Sequence, residues 1–496
     1  LPAFCCFHVM FNFPLISKAV GMLLFLETGM LLLCLGVGIA DAGYGADLLT
    51  FGVPVGVSAL LGFLLRHFGR RAENRLSRRD GYLIVALTWV TFSLIGTLPF
   101  LLSGATPRLA AAIFETVSGF TTTGATCLPE IDPLPQSLLL WRSLTHWIGG
   151  MGIVFFTIAV LPHIGGSDLK LFTAESTGLR TGKLHPRIST TARWLLSVYL
   201  FLTISCTSAY FLCGMSFGDA VNHALSTVST GGFSSHSASI AYYQSPLLQW
   251  VTTVFMLLSG VNFALTYLLF IKRRVKDVFR DEELRFYLRF YFSASLAISA
   301  TLFFVHHLPL ENALRSGFFT VASIQTTTGF TDENFMLWHP VTWVVLLLCS
   351  FVCACSGSTS GGVKCVRILM VWKMIRSELR QMLHPHAVIP LRIQHSLITP
   401  RMGRTLLVFL SLYVLLIILS IFFFMLSGLP ALDAVGLSFT SIGNVGPAIG
   451  YTVGALGTWD VLSDAQLVWS SLLMLAGRLE IFCLLLPFVP GFWKDE

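Results

Sequence analysis

Charge is what this 496-residue chain has least of. Asp, Glu, Lys and Arg make up 11% of it, against roughly 25% in an average soluble domain, which excludes an ordinary soluble fold. Its 11 cysteines form no CxxC pair and have no histidine at zinc spacing, so neither a zinc ribbon nor a dithiol redox site is encoded. Cys34, Cys206, Cys349 and Cys483 lie inside apolar segments and read as buried thiols. There is no HExxH and no P-loop sequence, and the chain reads as a non-enzyme. The N-terminal stretch does not read as a cleaved signal peptide: the first apolar run continues for a full span after Lys18 with no small-residue cleavage site. Met10 opens a plausible start of its own, so residues 1–9 read as an upstream extension.

What is present is apolar sequence, 54% of all residues. It is gathered in runs of 20 or more, long enough at 1.5 Å per residue to cross a hydrocarbon core of about 30 Å as helices. Ten spans are expected, near 18–40, 47–65, 81–103, 137–164, 192–214, 246–271, 285–307, 339–371, 404–427 and 464–488. Four shorter segments near 109–129, 218–236, 311–331 and 431–450 are too polar and Gly-rich to span, yet too apolar for solvent loops. Re-entrant segments fit that character.

The formal net charge of +7 reads as topology, not as nucleic-acid binding, because its distribution is one-sided. Stretches 66–80, 165–193, 272–289 and 364–404 hold 26 of the 32 Lys and Arg. By the positive-inside rule all four face the cytoplasm, with both termini on that side. The opposite side carries mainly acids: Asp41, Asp47, Glu130, Asp132, Asp219, Glu311, Asp332, Glu333, Asp433, Asp460 and Asp464. Acidic loops concentrate cations within a Debye length. Short polar loops depleted of Lys and Arg by the charge rule alone would look the same.

The four re-entrant segments end in related glycine elements: Thr122-Thr123-Gly124-Ala125-Thr126, Thr230-Gly231-Gly232-Phe233-Ser234, Thr327-Thr328-Gly329-Phe330-Thr331 and Asn444-Val445-Gly446-Pro447-Ala448. Gly124, Gly232, Gly329 and Gly446 are 108, 97 and 117 residues apart, and six residues before each sits a hydroxyl, Ser118, Ser226, Ser323 or Thr440. Helix-breaking turns that merely fill space would account for one or two such elements, not four in register. An ion crossing a bilayer must exchange water oxygens for others, and extended backbone supplies carbonyls where it lines a cavity. Glycine lets four such strands approach one axis. The expected fold is an all-α polytopic membrane protein. Four pseudo-symmetric helix/pore-loop/helix repeats (81–164, 192–271, 285–371 and 404–490) surround a central pore, preceded by an N-terminal helix pair and basic loop at 1–80.

At these residues the chain resembles the TrkH/KtrB/HKT superfamily of K+ transporters, and within it the TrkH family, whose members have two additional N-terminal spans. The resemblance runs from about Met10 to Phe492. It implies a K+ filter of backbone carbonyls at Thr122, Thr123, Gly124, Thr230, Gly231, Gly232, Thr327, Thr328, Gly329, Asn444, Val445 and Gly446, with K+ as the transported ion and no bound organic cofactor. Relatives that favour Na+ often carry serine at the position of Gly124. Ala125, where Phe233 and Phe330 are aromatic, and the run NVGPA depart from fourfold chemistry. The resemblance further implies a homodimer in a bacterial inner membrane and a regulatory nucleotide-binding cytoplasmic subunit of TrkA type, for which the basic loops are suitable docking surfaces; the same charges suit anionic membrane lipid.

Two elements stand apart from the filter. Cys355-Ser356-Gly357-Ser358-Thr359-Ser360-Gly361-Gly362-Val363-Lys364 places small polar residues inside an expected span. Such a run breaks a helix and loops into a wet cavity, or else packs helices closely. The resemblance makes it an intramembrane gate with Gly357, Ser358, Gly361, Gly362 and Lys364, although the lysine's place next to a basic loop favours interfacial snorkelling. Arg478, in the middle of the last expected span, costs at least about 2.5 kcal/mol at the bilayer centre and must face protein or water. The resemblance places it in the ion path beneath the filter as a second gate residue; by its position alone it also reads as a structural anchor between helices. Glu27, His146 and His223 read as proton sites or as hydrogen-bonded packing, and Glu115 as an acid opening the first pore helix. The expected function is K+ uptake by channel-like conduction. The alternative is K+ symport with H+ or Na+ through a carboxylate such as Glu27 or Glu480.

Overall fold

A computed structural model of the chain describes residues 11–42, 47–72, 77–152, 188–386, 389–393 and 396–494. The proposed extension at 1–9, the end of the span 137–164 and most of the basic stretch 165–193 lie outside them. The regular secondary structure of the described residues is helical apart from a hairpin of two-residue strands, Arg392–Ile393 and Ser396–Leu397, and one parallel bridge between Val352 and Val363.

The N-terminal pair is α1 (Phe13–Ala42) and α2 (Asp47–Phe68). They touch through small residues: a Cβ on Gly21 would lie 2.8 Å from the Gly62 carbonyl oxygen, and the Thr28 hydroxyl donates to Ser58 Oγ at 2.9 Å. With no hydrophobic drive between helices in lipid, close backbone approach and interhelical hydrogen bonds hold such pairs. Helix α3 (Arg78–Gly96) starts at a capping box in which Ser77 Oγ accepts from the Asp80 N–H and Asp80 accepts from the Ser77 N–H. The other Asp80 oxygen accepts from Asn12 N at 3.1 Å, fastening α1 to α3. Replacing such a cap costs about 1 kcal/mol, so Ser77→Ala should lower the thermal unfolding midpoint of detergent-solubilised protein by a few degrees without altering transport.

Four units follow. Their short re-entrant helices are α4 (Leu109–Phe120), α7 (Phe217–Val228), α11 (Leu310–Gln325) and α15 (Ala431–Gly443). The helices before the last three are α6 (Ile188–Leu212), α10 (Glu282–Phe304) and α14 (Pro400–Leu426). After the glycine segments come α5 (Gln136–Gly150), α8 (Pro246–Ser259), α12 (Pro340–Phe351) and α16 (Asp464–Arg478). On α14, Leu407, Val408, Leu415, Ile418, Leu419 and Phe422 are exposed, a surface made for lipid and not for water.

Among the described residues six helices are long and apolar enough to cross a membrane, and two bent pairs add to them. The bends correct the expectation of straight spans at 246–271 and 464–488. Helix α8 turns by 110° into α9 (Phe263–Phe270), and α16 by 117° into the short helices of Phe482–Phe488. At the first bend Asn262 caps the new helix, its Oδ1 accepting from Ala264 N. A Cβ on Gly260 would lie 2.7 Å from Tyr287 Oη. At the second, Glu480 and Ile481 are left-handed, with φ of 56° and 58°. In the third unit α12 stops at Phe351, and α13 (Cys365–Leu383) resumes after the small-residue run. Among the described residues, the helices after the glycine segments end at Gly150, Ser259, Phe351 and Arg478.

Candidate functional site: a ring of four glycine segments

The four glycine segments meet. A Cβ on Gly124 would lie 2.0 Å from the Gly231 carbonyl oxygen, one on Gly232 1.9 Å from that of Thr328, one on Gly329 2.1 Å from that of Val445, and one on Gly446 2.6 Å from that of Thr123. The contacts run from each unit to the next and return to the first, so the ring is closed. In every case the oxygen belongs to the residue before the neighbouring glycine.

The backbone repeats just as closely. All four glycines are left-handed, with φ of 78°, 85°, 82° and 96°. So are the residues two before them: Thr122 at 55°, Thr230 at 55°, Thr327 at 59° and Asn444 at 55°. Asparagine tolerates this region, whereas β-branched threonine is an outlier there, at about 1–3 kcal/mol each. The residues between, Thr123, Gly231, Thr328 and Val445, are not left-handed. Alternating handedness lets successive peptide groups aim the same way, where an extended strand would aim them to opposite sides.

The hydroxyl at minus six now has a reason. Ser118, Ser226, Ser323 and Thr440 each offer their backbone carbonyl to the N–H of the residue before the glycine, at 2.8–3.2 Å. In three units the hydroxyl also donates to the carbonyl just after the glycine: Ser118 to Ala125 at 2.6 Å, Ser323 to Phe330 at 2.6 Å, and Thr440 to Pro447 at 3.0 Å. In the second unit Ser226 Oγ instead lies 3.4 Å from His146 Nδ1.

The small-residue run 352–364 reaches this ring directly. The Thr359 hydroxyl donates to the Val228 carbonyl and accepts from the Thr230 hydroxyl, and the Gly361 N–H donates to Thr327 Oγ at 2.8 Å. Gly357 and Gly362 are left-handed. A Cβ on Gly361 would collide with Asn444, and one on Gly362 with Cys353 Sγ. Ser358 Oγ donates to the Cys355 carbonyl. The ammonium of Lys364 folds back onto the Ser360 carbonyl and hydroxyl, so it staples the run, and the snorkelling reading is corrected. Arg478 closes the arrangement: Nη1 donates to the Thr359 carbonyl at 2.6 Å and Nη2 to the Gly149 carbonyl at 2.7 Å. It is the last residue of α16 and not the middle of a span. It lines a cavity together with Gly149, Ser356, Gly357, Gly361 and Gly362.

Other sequence readings change. Glu115 does not open its helix, which begins at Leu109; it lies in the second turn, paired with Arg142. His146 and His223 are packed and hydrogen-bonded: His146 stacks on Phe233 at 4.0 Å, and His223 contacts the Asp219 carbonyl and Ser234 Oγ. Arg108 offsets part of the acidic face, bonding Asp464 at 2.6 Å and Asp460 at 3.2 Å. Arg142 escaped the sequence reading, and Thr359 figured there only as one member of the small-residue run. A charged residue inside the apolar stretch 137–164 meets the criterion that singled out Arg478. Gly214-Met215-Ser216-Phe217-Gly218 also matches GxSxG. Ser216, however, caps α7 and donates to Asp219, a helix N-terminus and not the strand-to-helix elbow of a hydrolase.

Asp332 lies three residues past Gly329 in the connecting loop, nearly buried, with one oxygen accepting from Thr320 Oγ. Burial, with the Glu333 carboxylate beside it, pushes its carboxyl up to about 7. A raised carboxyl binds its proton more tightly folded than unfolded, so stability declines as pH climbs from the ordinary carboxylate range towards 7. Asp332→Asn cannot ionise. Its melting point should exceed that of the wild type at pH 8, by up to about 4 kcal/mol of stability, and converge with it near pH 4.

A family model described as TrkH, cation transport protein, matches residues 57–494. Over 493 residues the chain is 35% identical to the Trk system potassium uptake protein TrkH of Salmonella typhimurium, covering 98% of this chain and all of that one. It is 37% identical over 457 residues to the protein of the same name from Halomonas elongata, covering 92% and 93%. The crystal structure of the potassium transporter TrkH from Vibrio parahaemolyticus superposes with a TM-score of 0.88 at 33% identity, covering 97% of this chain and 100% of that one.

Proposed function

The chain belongs to the TrkH family of cation transport proteins, and from that premise we propose that it is a membrane potassium uptake protein whose four-glycine ring is the K+ filter. The observation that carries this reading is the closed cycle of glycine-to-carbonyl approaches from Gly124 to Gly446. A dehydrating cation needs a ring of oxygens, and backbone carbonyls on alternating-handed segments supply one without side-chain charge. The twelve residues Thr122–Gly124, Thr230–Gly232, Thr327–Gly329 and Asn444–Gly446 form it.

Conduction is channel-like in this proposal. The run 352–364 lies against Thr230 and Thr327 and obstructs the path on the side of the basic loops, and Arg478 holds it there while placing a positive charge in the way of cations. With those loops cytoplasmic, each inward charge gains about 2.3 kcal/mol per 100 mV of inside-negative potential, enough to sustain accumulation without a second ion. Symport would need a protonatable group on the path. Glu480 lines the same cavity as Arg478 but is paired with Arg367 at 2.7 Å, and Glu27 lies on α1, outside the four units. We extend the proposal to a homodimer with one pore per subunit and a nucleotide-binding subunit docked on the basic stretches 272–289 and 364–404.

The test is the reversal potential of purified protein in a planar bilayer under opposing K+ and Na+ gradients, followed by an added pH gradient. A value near the K+ equilibrium potential, unmoved by pH and shifted towards Na+ by Gly124→Ser, is expected. A value that moves with pH at fixed K+ would replace passive conduction with proton coupling.

A further inference from the structure

Behind the ring, between the first and second units, lies an ion pair that conduction as described does not use. Arg142 on α5 and Glu115 on α4 have side chains 1% and 0% exposed, and Arg142 Nε donates to Glu115 Oε1 at 2.9 Å. Each then grips a segment just past a ring glycine. Glu115 Oε2 accepts from the Cys127 N–H at 2.8 Å, and Oε1 from the Thr126 hydroxyl at 3.2 Å. Arg142 Nη1 donates to the Ser234 carbonyl at 2.9 Å, and Nη2 to Thr126 Oγ at 3.3 Å. Thr126 is two residues past Gly124, and Ser234 two past Gly232.

The guanidinium also lies 4.1 Å over the Phe233 ring, and His146, one helical turn along α5, stacks on Phe233 at 4.0 Å and 15°. Two residues of the first unit thus bracket the aromatic residue that follows Gly232 in the second. A Cβ on Gly231 would lie 2.2 Å from His146 Nδ1, so this wall stands directly behind the ring backbone. The equivalent Phe330 of the third unit has no cation over its ring among the described residues; its aromatic neighbour is His223, 5.8 Å away and tilted. The first and fourth units carry Ala125 and Pro447 there.

A buried ion pair is a poor way to gain stability, since desolvating each ion costs several kcal/mol and an apolar pair packs as well. A guanidinium offers something an apolar residue lacks: a rigid fork of donors that fixes several acceptors in one geometry, with a cation–π face for the ring beneath it. We propose that Arg142, held by Glu115, is a positioning residue that sets the spacing of the ring at Gly124 and Gly232 and thereby its discrimination between K+ and the smaller Na+. The inference rests on the reading of the ring as the K+ filter. Loosening the brace lets the second unit's segment close on the smaller ion, and K+ passes while selectivity falls.

The experiment measures the K+ to Na+ permeability ratio of full-length protein in planar bilayers under bi-ionic conditions, for Arg142→Lys, Phe233→Leu and Phe330→Leu, with Gly124→Ser as reference. Arg142→Lys keeps the charge and loses the fork, whereas Phe233→Leu keeps the apolar volume and loses the π face. Both should lower the ratio by about tenfold, the scale of one hydrogen bond lost from the ring's support, with K+ current retained. Phe330→Leu should lower it several-fold less. If Gly124→Ser collapses the ratio while Arg142→Lys and Phe233→Leu leave it at the wild-type value, the filter reading stands and the positioning role is overturned. If Gly124→Ser has no effect either, the filter reading itself fails and the inference with it. Should Arg142→Lys not yield monodisperse protein, Phe233→Leu against Phe330→Leu decides alone, and equal shifts overturn the proposal.

Discussion

Gly232→Ala should abolish K+-selective conduction, with the reversal potential under opposing K+ and Na+ gradients falling to near zero and K+ current dropping at least about tenfold. Backbone strain and steric collision act together. A residue with a Cβ is strained at φ of 85°, at about 1 kcal/mol. The collision matters more: the new methyl would lie 1.9 Å from the Thr328 carbonyl oxygen and 3.0 Å from its carbon. That neighbour is backbone, braced through Thr328 N to Ser323, and cannot swing away as a flexible side chain would. The third unit's segment must move, and the oxygen displaced is one of the four in the ring. Gly104→Ala separates strain from collision, because Gly104 has φ of 72° but open space around it. It should leave selectivity intact. A Gly232→Ala protein that keeps wild-type selectivity would show that the ring tolerates a shifted carbonyl and is not the selecting element.

Arg478→Ala should open the path. The guanidinium makes two short hydrogen bonds to carbonyls, to Thr359 in the run 352–364 and to Gly149 at the end of α5. Bonds to charged groups contribute about 1.5–3 kcal/mol each. Losing both shifts the balance between a docked and a released run by roughly 3 kcal/mol or more, about a hundredfold in population. In the proposed conduction path, removing a positive charge from the cavity that Arg478 lines would lower the entry barrier in the same direction. Potassium efflux from proteoliposomes, measured without any added cytoplasmic subunit, is therefore expected to rise by one to two orders of magnitude. Arg478→Lys should fall between, since an ammonium on a shorter reach cannot serve two carbonyls in fork geometry. An unchanged or reduced efflux in Arg478→Ala would make the arginine a helix anchor and move the gate elsewhere.

Much of this architecture could be read from the chain alone, and the reasons are local. Span positions follow from runs of apolar residues. The four units follow from a glycine with a hydroxyl six residues before it, because a re-entrant helix, its turn and the returning segment are contiguous in sequence. The helix break between Phe351 and Cys365 was legible for the same reason: the ten-residue run of small polar character from Cys355 to Lys364 cannot sustain a span. The bends after Ser259 and Arg478 were not legible. Gly260 alone carries no such instruction, and Glu480 and Ile481 take left-handed conformations where Glu480 pairs with Arg367, more than a hundred residues away.

The residues that join the units were the least legible. Arg478 meets partners 119 and 329 residues distant, and Asn444 donates to Thr123 Oγ across 321 residues. Glu115 reads by position as a helix-dipole acid and becomes the counter-ion of Arg142, because two helices of one unit face each other behind the ring. Lys364 reads as an interfacial cation and folds back on its own loop. By itself the sequence determined that this is a helical membrane protein of four related units, each ending in a glycine segment, since hydropathy and short-range pattern act within one stretch of chain. Only the tertiary structure decided that the segments close a ring, that the small-residue run docks beneath it, and which buried charges hold both in place. Most of those are contacts between segments from about a hundred to more than three hundred residues apart, set by packing geometry that no local propensity encodes.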